Sequence, residues 1–248
     1  MASRSARAAG QTDAARGGAQ SFVRNGSASA SHQRRISAGL QQFGWAVGSN
    51  VQIEYRWSAG NEDDTRKYAL ELVALAPEVI FALGSQSVGP LQRATRTVPI
   101  VFARVGDPVG AGFVDSMARP GGNITGFTSY EYGLGAKWLE VLKQIAPNVT
   151  RVAVVRDPAN PAGIGIWGAI QSVSPSFGVE LRPVNVRDAG EIERALTAFA
   201  GSPNGGLIVA GSAQAVLHRD LIIALTTRHR LPAVYYDRYF AAAGGRAD

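Results

Sequence analysis

From residue 21 onward the apolar positions switch between two periods. Short runs that alternate, or are apolar throughout, read as strands; apolar residues three and four apart read as helices. A weak strand over 21–25 leads through Gly26, Ser27, Ala28 and Ser29 into a helix over 31–43. Residues 51–57 alternate as a strand, and 64–76 have helical spacing through Tyr68, Leu72 and Leu75. A short strand at 78–83, a helix at 88–96 and strands at 98–104 and 123–128 complete the first series. The second series has helix 134–145, strand 151–156, a Gly-weakened helix 163–177 interrupted by Pro175, and strand 179–186. Helix 189–200, strand 206–210, a long helix 213–229, strand 232–236 and the start of a helix at 238–243 follow.

Strands separated by helices of about 10–15 residues mean βαβ units and parallel sheets. The two series meet near residues 128–133, which predicts an α/β protein of two doubly wound parallel-sheet lobes. The expected division is a disordered tail over 1–20, lobe one over 21–130 and lobe two over 131–237. The tail is Ala, Gly, Arg, Ser and Gln with almost no large apolar group to offset the entropy of ordering. No strong internal repeat accompanies the duplication.

Charge changes this picture little. The net charge is +6, but the first 50 residues hold six arginines against Asp13 alone. The rest of the chain is close to neutral, with no basic stripe for a phosphate backbone, so no nucleic-acid partner is expected. No window approaches the ~20 apolar residues of a membrane-spanning helix. The chain has no cysteine, which excludes disulfides, thiolate metal sites and a Cys nucleophile. His32, His218 and His229 are scattered and make no metal-ligand spacing. Neither a G-x-S-x-G elbow nor a P-loop is present, and no metal or cofactor is expected.

The candidate chemistry sits at strand ends, where open α/β sheets bind ligands. Asp107, in a Gly-Asp-Pro turn, either caps its own turn or faces a crevice as a carboxylate for a ligand ammonium. Gly84-Ser85-Gln86-Ser87 joins a strand to a helix; Ser87 reads as an N-cap, and the same helix start, with Ser85, suits a carboxylate. Gly26-Ser27-Ala28-Ser29 and Gly211-Ser212 make equivalent turns. Of Tyr235 and Tyr236, alternation sends one to each face; Tyr130 and Tyr132 lie at the seam. Gly163-Ile164-Gly165-Ile166-Trp167-Gly168 matches the dinucleotide fingerprint, with Asp188 twenty residues on. Asp157-Pro158-Ala159-Asn160-Pro161-Ala162 separates it from the preceding strand, so its first glycine misses the required turn. An NAD-type oxidoreductase is the alternative this segment leaves open. A cytosolic ligand sensor is another.

The ordered cassettes closely resemble a bacterial family, the ABC-transporter substrate-binding proteins of the tryptophan/tyrosine-binding type. The resemblance runs from about residue 39 to 245. It rests on Gly39-Leu40 with Phe43-Gly44-Trp45, Ile53-Glu54-Tyr55-Arg56-Trp57, Pro99-Ile100-Val101-Phe102 and Gly106-Asp107-Pro108-Val109. Arg119-Pro120-Gly121-Gly122-Asn123-Ile124-Thr125-Gly126, Asp157-Pro158-Ala159-Asn160-Pro161 and Phe240-Ala241 extend it. It implies a type I periplasmic-binding fold closing on a small amino-acid-like solute and docking on a membrane permease. It also implies a periplasmic monomer without catalysis. The implied crevice residues are Ser85, Ser87, Asp107, Thr128 and Asn160, with Ser212 and Asp237. The ligand's ammonium would sit on Asp107 and its carboxylate at Ser85 and Ser87. Members begin with an export signal and an apolar first strand, and continue past Gly245 with a strand and helix returning to lobe one. Against that pattern the chain reads as a shortened copy lacking part of lobe one, with 238–248 as the start of the return.

Overall fold

The computed structural model describes residues 19–24, 30–58 and 60–244. The first series folds as β1 (Ala19–Arg24), α1 (Ala30–Gln42), β2 (Gln52–Trp57), α2 (Glu62–Ala74), β3 (Ile80–Leu83), α3 (Ser85–Ala94), β4 (Ile100–Gly106) and β5 (Ile124–Tyr130). Its five strands are all parallel, in the order β2-β1-β3-β4-β5. The weak first strand is therefore present and sits inside the sheet. It takes in Ala19 and Gln20, which composition alone assigns to a disordered tail; the rest of that tail and the Gly26–Ser29 turn lie outside the described residues.

The second series gives α4 (Leu134–Ile145), β6 (Arg151–Arg156), α5 (Pro161–Val173), β7 (Glu180–Asn185), α6 (Ala189–Ala200) and β8 (Gly205–Val209). It ends with α7 (Ala213–Leu217), α8 (Arg219–Arg228), β9 (Ala233–Tyr235) and α9 (Arg238–Ala242). Four parallel strands run in the order β7-β6-β8-β9. Both orders reverse beside the first strand of the series, which opens a crevice at the carboxyl ends of the neighbouring strands.

Alternation explains why both faces of the second sheet are dry. Val152 and Val154 of β6 pack with Leu139 and Leu142 of α4 and Ile166 and Ile170 of α5. Ala153 and Val155 point the other way, against Ile192 and Leu196 of α6 and Ile222 of α8. In the first sheet Ile80, Ile100 and Phe102 pack with Leu72 of α2 and with Val88 and Leu91 of α3.

Two predicted helices of the second series change. The helix expected over 163–177 starts earlier, at Pro161 after the Asn160 cap, because proline suits a first helical position. Pro175 then turns its end into a short 3₁₀ segment, Ser174–Phe177. The long helix expected over 213–229 breaks at His218, where φ is −97° and ψ 16°. Neither Gly nor Pro marks that break.

Phe102 is fully buried. Phe102→Ala is expected to cost about 3–5 kcal/mol in urea unfolding, whereas Ile164→Ser on the exposed side of α5 should stay within about 0.5 kcal/mol. Equal losses at the two positions would contradict this assignment of the core.

Candidate functional site

The carboxyl ends of the two sheets face each other across a cavity of about 780 Å³. That volume suits a small molecule. Lobe one contributes the turn after β3 with the start of α3, Arg104 at the end of β4, and Ser129 and Tyr130 at the end of β5. Lobe two contributes Asn160, Gly211 to Ala213, and Tyr236, Asp237 and Tyr239 after β9. Val216 and Leu217 of α7 roof one side. The break at His218 leaves Leu217 exposed in this cleft while Ile222 and Leu225 of α8 go into the core.

Where the chain leaving a parallel strand starts a helix, a polar residue at that start can cap it. Asn160, Ser212 and Asp237 are such caps. Asn160 Oδ1 accepts from the Ala162 N–H at 3.1 Å, and its Nδ2 donates to the Gly211 carbonyl at 3.3 Å, tying two cleft turns together. Ser212 Oγ accepts from the Ala215 N–H at 3.0 Å, and Asp237 Oδ1 from the Tyr239 N–H at 3.3 Å. Each side chain therefore both ends a loop and lines the cavity.

Of the residues singled out by sequence, the structure brings Ser85, Asn160, Ser212 and Asp237 to the cavity wall. Ser87, Asp107 and Thr128 stand outside it. The helix expected from residue 88 begins at Ser85, because Gly84 takes φ +83° and ends β3 sharply. Ser87 thus falls inside the first turn rather than at the cap; it is fully buried and donates to the Leu83 carbonyl at 3.1 Å. Asp107 Oδ1 accepts from the Gly110 N–H at 2.7 Å, and Oδ2 from the Tyr132 N–H at 3.3 Å. Its carboxylate holds its own turn and ties it to the backbone at Tyr132, beyond the end of β5. Thr128 donates to backbone carbonyls, Val105 at 3.1 Å and Tyr130 at 3.2 Å. Ser85 Oγ accepts from the Gly106 N–H at 3.2 Å, fixing the neck between β3 and β4.

Several residues at the site were not singled out as ligand contacts. Arg104 reaches across the cleft, with Nη2 3.3 Å from Asp237 Oδ2. Gln86 Nε2 donates to Asp157 Oδ2, a second link between lobes. Gly60 lies against Ala213 and Gln214 of α7. The signal for Gln86 and Asp157 was present in the quoted turn motifs; nothing in the run of β4 marked Arg104.

Tyrosines form the aromatic wall. Tyr130 meets Trp138 edge-on at 5.9 Å. Tyr236 and Tyr239 share a hydroxyl contact at 2.8 Å. An added Cβ at Gly211 would lie 2.7 Å from the Tyr236 ring and 3.0 Å from the Tyr130 hydroxyl, so only glycine admits both rings. Alternation holds at β9: Tyr235 stacks on buried Phe240 at 5.2 Å, and Tyr236 lines the cavity. Burial pushes the Tyr130 phenol up to about 12 and raises that of Tyr236, so both hydroxyls stay protonated at neutral pH. The dinucleotide match is corrected: Gly163, Gly165 and Gly168 lie inside α5, not in a turn after β6. Among the described residues no cluster of His, Asp and Glu could hold a metal ion, and no helix is long and apolar enough to cross a membrane.

Asp157 is buried, and burial raises its carboxyl above the ordinary 3.8 despite bonds from Ala159 and Gln86. The native state then binds more protons than the unfolded state just above that value, so this group's contribution to stability falls as pH rises. Asp157→Asn should gain melting temperature relative to the parent chain between about pH 4 and 7. A difference that is flat or shrinks with pH would contradict a raised carboxyl.

Comparison with known proteins gives one consistent answer. The family model "ABC transporter substrate binding protein" matches residues 21–247. A tyrosine-binding protein of Clostridioides difficile is 24% identical over 215 residues, 84% of this chain. The chain spans 59% of that relative's length. A conserved domain protein of Vibrio cholerae superposes with a TM-score of 0.82 at 22% identity, over 92% of this chain and 77% of that one. An ABC domain from Streptococcus pneumoniae in complex with L-Trp does so with 0.80 at 18% identity, over 93% and 77%.

Proposed function

This chain belongs to the ABC transporter substrate binding protein family, whose members bind rather than catalyse, and on that premise we propose that it delivers a small aromatic amino acid to an ABC importer. The observation that carries the reading is the 780 Å³ cavity walled by the strand ends of both lobes, with Tyr130, Tyr236 and Tyr239 in its lining. An aromatic ring fits among the tyrosines, where ring faces and edges complement each other. The first N–H groups of α3, at Ser85 and Gln86, have no partner inside the helix and share the cavity wall with Arg104, an electropositive end for a carboxylate. Ser85, Asn160, Ser212 and Asp237 supply the polar wall. Ser87, Asp107 and Thr128 act behind it by fixing the turns.

The mechanism is closure about the segments joining the lobes. Ligand held by both walls favours the closed arrangement over the open one by its difference in affinity for the two. The closed monomer then docks on a permease, outside the inner membrane. The names of the relatives support an aromatic amino acid: one is a tyrosine-binding protein and another holds L-Trp.

Thermal melting with each of the twenty amino acids tests this. An aromatic amino acid at 100-fold its Kd should stabilise the chain by about 2.7 kcal/mol, raising Tm by about 5–10 °C. A melt that none of the twenty shifts would overturn the amino-acid assignment.

A further inference from the structure

We propose that Arg104 sets the charge class of the ligand: it takes the carboxylate of a zwitterion whose ammonium takes Asp237, so that the ligand enters an ion pair now made directly between the lobes. The inference rests on the cleft being the ligand site.

The end of β4 is irregular. Its register with β5 shifts between Ala103 and Val105, and Arg104 between them stands at φ +57°. A non-glycine residue in that region is uncommon, and a bulge at a strand end re-aims a side chain. Here the side chain re-aimed is the only formally charged one that lobe one places on the cavity wall among the described residues. Its guanidinium meets Asp237 through a single contact of 3.3 Å. Arginine and carboxylate pair best through two parallel bonds, so this contact leaves donors unused. Asp237 spends Oδ1 on the Tyr239 N–H and has Oδ2 alone toward Arg104.

The other two charges on the wall, Arg219 and Asp220, are chain neighbours in α8, where Arg219 bonds Asp220 Oδ1 through Nη2 at 2.7 Å and Nε at 2.8 Å. Arg104 and Asp237 are the charged pair on the wall that spans the two lobes, through one contact. The wall carries two cations and two anions. A ligand with both signs completes the open pair, whereas a lone amine or lone acid leaves one of its members facing an unmatched charge. Tyr130, Tyr236 and Tyr239 lie within reach of the Arg104 charge, which lowers the pKa of all three phenols against the rise from burial. The ionic and aromatic subsites are therefore adjacent, as the head and ring of one amino acid require. The two members come from opposite lobes, so a zwitterion held by both also joins the lobes.

Titration calorimetry of the full chain tests this with L-tryptophan and L-tyrosine, with tryptamine and tyramine (no carboxylate), and with indole-3-propionate (no ammonium). Arg104→Met should weaken amino-acid binding at least about tenfold and abolish the preference for amino acid over amine. Arg104→Lys should restore part of that preference, and Asp237→Asn should abolish the preference over indole-3-propionate. Arg104 is exposed, so Tm of its variants should stay within about 2 °C of the parent. Unchanged tryptophan and tyrosine affinity in Arg104→Met, with the parent chain binding both, overturns the role of Arg104 and leaves the cleft reading standing. If the parent binds none of the five compounds, both fall.

Discussion

Parallel pairing is the constraint from which the site follows. Every strand pair in both sheets is parallel, so each strand ends on the same edge of its sheet and each following turn leaves from that edge. Most of the following helices start there, and their first N–H groups favour capping residues. The residues best suited to capping, Asn160, Ser212 and Asp237, are for that reason gathered on the cleft wall of lobe two. Placing two such edges face to face turns a set of local folding requirements into a polar cavity.

Three direct links between the lobes, among the described residues, involve side chains of the cleft. Gln86 to Asp157 is one hydrogen bond, worth about 0.5–1.5 kcal/mol net to the neutral carboxyl and about 1.5–3 kcal/mol to the ionised one. Arg104 to Asp237 joins side chains 46% and 29% exposed, a setting in which an ion pair contributes about 0–1 kcal/mol. Tyr130 reaches from β5 into the second lobe's core beside Trp138. Each of these links is small, while each lobe keeps its own buried core. In the proposed mechanism a ligand held by both walls adds to them in the closed arrangement.

Much of the architecture was legible because the two periods are clean. Helix 134–145, strand 151–156 and helix 189–200 are found at their expected bounds, each with a continuous buried stripe or run. Ser87 looks like a cap and points to a helix from residue 88, whereas Gly84 at φ +83° turns the chain after β3 so that α3 starts three residues sooner, at Ser85. The break at His218 carries no Gly or Pro. At the cavity, strand ends and capping residues singled out turns that line its wall at Ser85, Asn160, Ser212 and Asp237, but direction within a turn is set by backbone that sequence pattern does not encode. Asp107 stands at φ +42° and turns onto Gly110 and Tyr132. Arg104 reads as the polar end of an apolar run, and only the bulge reveals its aim across the cleft.

The central claim is that a ligand in the cleft draws the two lobes together. The chain has no cysteine, so a pair introduced at exposed Arg96 and Arg194 would carry spin labels at two sites alone, one on each lobe. The distance distribution between them should be broad without ligand and collapse to a single narrow population with a saturating aromatic amino acid. A distribution that bound ligand leaves unchanged would contradict the account, because the two walls would then be a rigid cavity and not a closing cleft.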